Sequence, residues 1–218
     1  MKLFRMFAIA ALAMLSGAGA QAGVVLSNMG SSGTDTTNVS TTNTIQTVSV
    51  RNAAGFTTGA VPFNLSGFNA IMDSSVSSAI SVTFAVYSNN GGAPGTKIAA
   101  TASQTVNNKQ NYSFSFSSPV TLSASTTYWA VVETGPLSSW YAMNGAAGDP
   151  VAQNSSGFSF VSYKQSYNFD TSRTWGGTDA NRYAFAVLGT NTGAVPEPAL
   201  TSLLCLGGVA LIRRRMKK

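Results

Sequence analysis

Apolar and polar residues alternate along much of this chain. In Ile80 to Tyr87, Ile80, Val82, Phe84 and Val86 fall on one face, with Ser81, Thr83 and Ala85 on the other. Successive side chains of an extended chain point to opposite sides, so this pattern predicts a half-buried β-strand. A period-two pattern also predicts a strand from Ile45 through Val50 that ends at Phe56-Thr57-Thr58-Gly59. Val61 to Met72 reads as one or two strands broken near Ser66-Gly67, followed by a turn at Asp73-Ser74-Ser75. Ser88 to Gly95 is a dense turn cluster, and Lys97 to Ser103 is the expected return strand. Tyr112 to Phe116 alternates, Ser117-Ser118-Pro119 breaks it, and Val120-Thr121-Leu122 follows.

Thr127 to Glu133 is dense in aromatic and β-branched residues and predicts a central strand that buries Trp129. Ser139-Trp140-Tyr141-Ala142 opens another, and Phe158 to Tyr163 alternates again. Arg182 to Leu188 closes the series with Tyr183, Phe185 and Val187 inward. Beyond Val24-Val25-Leu26, the segment up to Thr44 reads as loop, as do Gly145 to Gly157 and the turn-rich stretch Tyr167 to Ala180. None of these segments has a helical period. About eight to ten short strands separated by turns predict an all-β fold, an antiparallel β-sandwich or jelly-roll-like ectodomain.

The two ends break this pattern. Lys2 and Arg5 precede an apolar core from Met6 to Leu15, and Ala20-Gln21-Ala22 forms a small-residue cleavage site. This predicts a signal peptide over residues 1–22 and a mature chain starting at Gly23. The other end carries Val195-Pro196-Glu197-Pro198, an apolar run from Leu200 to Ile212, and the basic end Arg213-Arg214-Arg215-Met216-Lys217-Lys218. The two prolines hold Glu197 in a short extended peptide, a shape suited to a processing enzyme. As a helix over 199–212 the apolar run would span about 20 Å, against a hydrocarbon core of about 30 Å. Such a helix is a marginal anchor, and its basic flank would stay cytoplasmic. The expected organisation is therefore an ectodomain over 23–189, a linker over 190–194 and a C-terminal signal over 195–218.

The order Pro196-Glu197-Pro198, apolar helix, Arg213-Arg214-Arg215 resembles the PEP-CTERM sorting signal of exopolysaccharide-producing bacteria. The resemblance implies transient single-pass residence in the inner membrane of a Gram-negative bacterium. An exosortase-type membrane enzyme would read the signal, and the body would be released to the cell surface or extracellular matrix. The body in turn resembles the choice-of-anchor R domain of bacterial surface proteins. Val82–Gly95, Tyr112–Leu122, Thr126–Val132 with Tyr128-Trp129, and Arg182–Leu188 carry that resemblance. It implies a surface-displayed body and no known activity.

Charge and chemistry narrow the function further. The formal charge is +6, but residues 23–194 hold six basic residues (Arg51, Lys97, Lys109, Lys164, Arg173, Arg182) and six acids (Asp35, Asp73, Glu133, Asp149, Asp170, Asp179). The basic excess belongs to the ends, so a nucleic-acid partner has no electrostatic support. The single cysteine, Cys205, lies in the tail, so the body carries no disulfide. The absence of histidine removes the commonest general base, nucleophile partner and zinc ligand.

A paired-carboxylate mechanism would draw on Asp73, Glu133, Asp149, Asp170 and Asp179. Asp73 and Asp149 read as turn caps, and Glu133 as a solvent-facing strand end, so no enzyme is expected. No cofactor is expected either. The alternative is a structural calcium at the loop flanked by Asp170 and Asp179, although no spaced Asp-x-Asp run supports it.

Aromatic residues in or beside predicted loops are the remaining cue. Trp140, Tyr141 and Trp175 are the candidates for stacking on sugar rings, with Tyr163 and Tyr167 nearby in sequence. The competing and favoured reading is that these rings close the ends of the core. The sequence thus predicts an exported, non-enzymatic surface or exopolysaccharide-matrix protein with a structural or adhesive role. Its rival is a carbohydrate-binding module that uses the loop aromatics.

Overall fold

The structure is a computed structural model that describes residues 22–36, 39–45, 51–74, 78–134, 138–143, 150–153, 156–166, 175–178 and 182–192. Fourteen strands, all antiparallel where paired, and no helix make up these residues. They form two sheets of seven strands packed face to face, a sandwich-like all-β body.

The first sheet contains β1 (Gly23–Ser27), β2 (Val39–Ile45), β4 (Phe63–Ser74), β8 (Gln110–Leu122), β10 (Ser138–Met143), β11 (Val151–Ala152) and β14 (Phe185–Asn191). The order runs β11-β1-β14-β4-β10-β2, with β8 on β4. The second sheet contains β3 (Arg51–Thr57), β5 (Ile80–Asn90), β6 (Ala93–Ala100), β7 (Gln104–Val106), β9 (Thr127–Thr134), β12 (Ser159–Ser166) and β13 (Trp175–Thr178). Here the order is β13-β12-β3-β9-β5-β6, with β7 on β5.

The alternation seen along the chain decides what lies between the sheets. Val82, Phe84 and Val86 of β5 meet Phe68, Phe114 and Phe185 of the first sheet, all buried. Phe84 packs edge-on to Trp140 at 5.1 Å and tilts against Phe114 at 4.5 Å. Burying each such ring contributes about 1.5–3 kcal/mol, so this layer dominates stability. Tyr183, Phe185 and Val187 point inward as expected.

The strands expected over 80–87, 127–133 and 182–188 are present, each one to three residues longer or shifted. β9 lies between β3 and β5 and is central. Several boundaries are corrected. The described part of the strand expected to end at Phe56-Thr57-Thr58-Gly59 is β3, Arg51–Thr57. Ile45 instead ends β2, which occupies the supposed loop, and 46–50 lie outside the described residues.

β4 runs unbroken through Ser66-Gly67 and on through Asp73-Ser74, because Ser138 and Ser139 pair with that end; the expected break is a register shift between Leu65 and Gly67. The same shift leaves Phe116–Pro119 unpaired on β8, which continues to Leu122. The turn after β5 shrinks to Gly91-Gly92 at φ 60° and 80°, a two-residue hairpin of the type that matches strand twist. β13 crosses the region read as turns.

The body also extends past the expected linker start. Thr190 and Asn191 pair with Asn64 and Phe63, and the Thr192 amide donates to the Pro62 carbonyl at 2.9 Å. At its other end Gly23 pairs with Gly189, so the first and last strands of the body are neighbours and both body termini emerge on one side.

Candidate functional site

Consecutive residues of a strand face opposite ways, and β10 shows the result for the predicted aromatics. Trp140 points between the sheets and is fully buried. It stacks on Tyr183 at 4.6 Å and donates its indole N–H to the Ala184 carbonyl at 3.0 Å. No face of it is open to a sugar, so it is corrected from candidate stacker to core. Tyr163 is buried too, donating its hydroxyl to the Tyr183 carbonyl at 3.1 Å. Tyr141 points the other way, to the outer face of the first sheet. Trp175 is half-buried against the outer face of the second. The three candidates therefore lie on three different surfaces and form no common platform. Tyr167 lies outside the described residues.

The outer face of the second sheet is filled by its own side chains. Trp129 is buried as expected, but on this outer face rather than between the sheets, packed with Ala53, Ala85, Tyr87 and Val131. Its indole lies over Gly55, where a Cβ would meet three ring carbons at 2.9–3.1 Å. Its N–H donates to Asn89 Oδ1 at 3.0 Å.

Beside it Glu133 accepts hydrogen bonds from the Tyr87 hydroxyl and from Lys97 Nζ at 3.0 Å, and lies 3.7 Å from Arg51 Nη1. Its side chain is only 10% exposed, which corrects the expectation that it faces solvent. A carboxylate that accepts two hydrogen bonds and lies beside a guanidinium is a structural clasp between β5, β6, β9 and β3.

The outer face of the first sheet is built differently. The loop after β1 folds across it, with the Asp35 amide donating to the Met29 carbonyl at 2.9 Å and Asn69 Nδ2 to the Gly33 carbonyl at 3.0 Å. Met29, Ile71, Ala184 and Ala186 are buried beneath. Next to this loop a half-open cleft of about 310 Å³ remains, lined by Thr36, Ile71, Lys109, Gln110 and Asn111.

Lys109 Nζ, from the exposed β7–β8 turn, lies 4.3 Å from the centre of the Tyr141 ring. The Tyr141 hydroxyl reaches Asp73 Oδ2 at 3.4 Å. Asp73 is thus a strand residue that holds a tyrosine, not a turn cap. Asn111 Oδ1 is enclosed and has no hydrogen-bond partner.

This cleft escaped sequence reading because its parts come from β4, β8, the β7–β8 turn and the first loop. The available signal was the adjacency of Trp140 and Tyr141, which forces one of the pair outward.

Among the described residues no group of three carboxylate, cysteine or histidine side chains could hold a metal ion. Asp149, Asp170 and Asp179 lie outside the described residues, and so do Ala20 and the sorting residues Pro196, Glu197, Pro198, Arg213, Arg214 and Arg215. Ala22 and Gly23 are exposed at the start of the body. No family model, curated protein or solved structure matches the chain.

Proposed function

We propose that this chain is an exported, non-enzymatic protein of the bacterial surface or exopolysaccharide matrix, with a structural or adhesive role. In this reading an exosortase-type enzyme sorts it from the inner membrane, and the body is a jelly-roll-like relative of choice-of-anchor R domains. The observation that carries the reading is the tail, with Pro196-Glu197-Pro198, an apolar run and Arg213-Arg214-Arg215 in that order. The body is consistent with it, since it needs no disulfide, carries balanced charge and places Glu133 in a clasp rather than a cleft.

Intact mass and cell fractionation of the native protein test the destination, beside a Pro196→Ala/Glu197→Ala/Pro198→Ala variant. The wild type is expected to begin at Gly23, lack the residues beyond the Pro-Glu-Pro site and lie outside the cell. The variant is expected to stay in the membrane. If both retain Lys218 in the membrane, the tail is a plain anchor and the matrix assignment fails.

A carbohydrate-binding role is the second reading. Tyr141, with its hydroxyl held by Asp73 beside an open cleft, is the observation that favours it.

A further inference from the structure

We infer that the outer face of the second sheet binds an extended acidic glycan, a chain of uronate-type sugars laid across the strands. This rests on the adhesive reading above and gives it a surface and a partner class. It does not depend on how the tail is processed.

The balanced charge of residues 23–194 hides an uneven division. The described residues include five bases, Arg51, Lys97, Lys109, Lys164 and Arg182, and three acids, Asp35, Asp73 and Glu133. Strand partners share a face, so Lys164 lies on the same side as its partner Ala53, which packs with Trp129 on the outside. Arg51 and Lys97 reach that side too, where both meet Glu133. Three of the five bases therefore share this face with one acid. On the other outer face Asp73 and Lys109 meet around Tyr141 with no such excess.

The bases are open to a ligand and the acid is not. The side chains of Lys97 and Arg51 are 49% and 28% exposed, while the carboxylate they share is 10% exposed. Lys164 is half-buried and makes no ion pair with a described residue. Between these groups Trp129 fills the floor over Gly55, so a ligand lies on this face rather than in it.

The bases are spread along a line. Lys164 is on β12, Arg51 on β3 and Lys97 on β6, with Trp175 on β13 at one end. The order β13-β12-β3-β9-β5-β6 makes five strand spacings, about 24 Å in all. A chain with one carboxylate per ring can meet several of these bases at once, whereas a single sugar meets one. Trp175 sits opposite Ser166, which in turn sits opposite Arg51, and its half-buried indole offers an aromatic surface to the C–H side of a ring. An excess of two charges suits such a chain better than a nucleic acid, with a phosphate about every 3.4 Å along each strand.

Fluorescence anisotropy on the purified full-length chain tests this with a labelled galacturonate oligomer, beside a labelled maltose-series oligomer of the same length as the neutral control. Single-stranded DNA and phosphatidylglycerol vesicles serve as competitors. The acidic oligomer is expected to bind at low salt with a dissociation constant of about 1 mM or tighter, ahead of the neutral one, and to weaken about fivefold at physiological salt. Lys164→Glu is expected to weaken it about fivefold and Trp175→Ala about threefold, while Lys109→Glu on the other sheet leaves it unchanged. A thermal melt of each variant shows that loss of binding is not loss of fold.

No binding by the acidic oligomer overturns the assignment, as does equal binding of the neutral one. So does binding that survives both Lys164→Glu and Trp175→Ala in folded protein, or that is lost on Lys109→Glu. Displacement by DNA or vesicles at a lower concentration of charge than unlabelled galacturonate overturns the glycan as partner. Fractionation of the same protein reports separately on its destination, so failure here leaves the export reading standing, and the reverse.

Discussion

On the outside of the second sheet a tryptophan lies flat across a glycine; on the outside of the first, a loop does the covering. Trp129 fills the furrow above Gly55 and is locked by Asn89, with Glu133 clasping three strands beside it. The first sheet keeps small residues, Ala184 and Ala186, under the segment around Gly33, and leaves a cleft at the margin. The comparison teaches how two similar layers divide their work. The space over Gly55 is filled by a rigid side chain, whereas the face covered by backbone retains a gap beside the loop.

Three substitutions probe this difference, all read by thermal and denaturant unfolding. Trp129→Ala is expected to have the largest effect, a loss of about 3–5 kcal/mol, because it empties a filled furrow. For a body of this length that lowers the midpoint by about 2–4 °C per kcal/mol. Glu133→Ala follows, at about 1.5–3 kcal/mol, since Tyr87, Lys97 and Arg51 lose a shared carboxylate that is mostly screened from solvent.

Gly33→Ala is expected to be the mildest, at about 1–2 kcal/mol. Its φ of 65° disfavours a side chain, and the new Cβ would press on Ala186 and Val24 at 2.9 Å. A loop can yield to that pressure where a sheet cannot. If Gly33→Ala costs as much as Trp129→Ala, the loop is as integral as the tryptophan and the contrast between the faces collapses. If Glu133→Ala is neutral, the clasp adds nothing to a face that Trp129 already holds.

The sequence disclosed those strands whose stability is written into their own residues. β5 and β9 concentrate β-branched and aromatic side chains, and the alternation alone gave their inner faces. β3, Arg-Asn-Ala-Ala-Gly-Phe-Thr, has no such density. It is a strand because its neighbour's indole needs Ala53 and Gly55 beneath it, a requirement that lies in another segment. Pro119 reads as a break, yet it sits in a bulge of a strand at the sheet edge, where a missing N–H costs little.

The candidate site was legible only in part. Tyr141 was named as a stacker, but so was its buried neighbour Trp140. Asp73 looked like a turn because its strand partners, Ser138 and Ser139, are far away in sequence.

The pairing of Gly23 with Gly189 has a mechanical consequence. The strand that leads out of the body, β14, is held on both edges, by β1 on one side and β4 on the other. A pull applied beyond Thr192 runs along that strand and loads both ladders in shear together, rather than peeling bonds away one at a time. A body tethered through this end would carry drag along a strand that is paired on both edges.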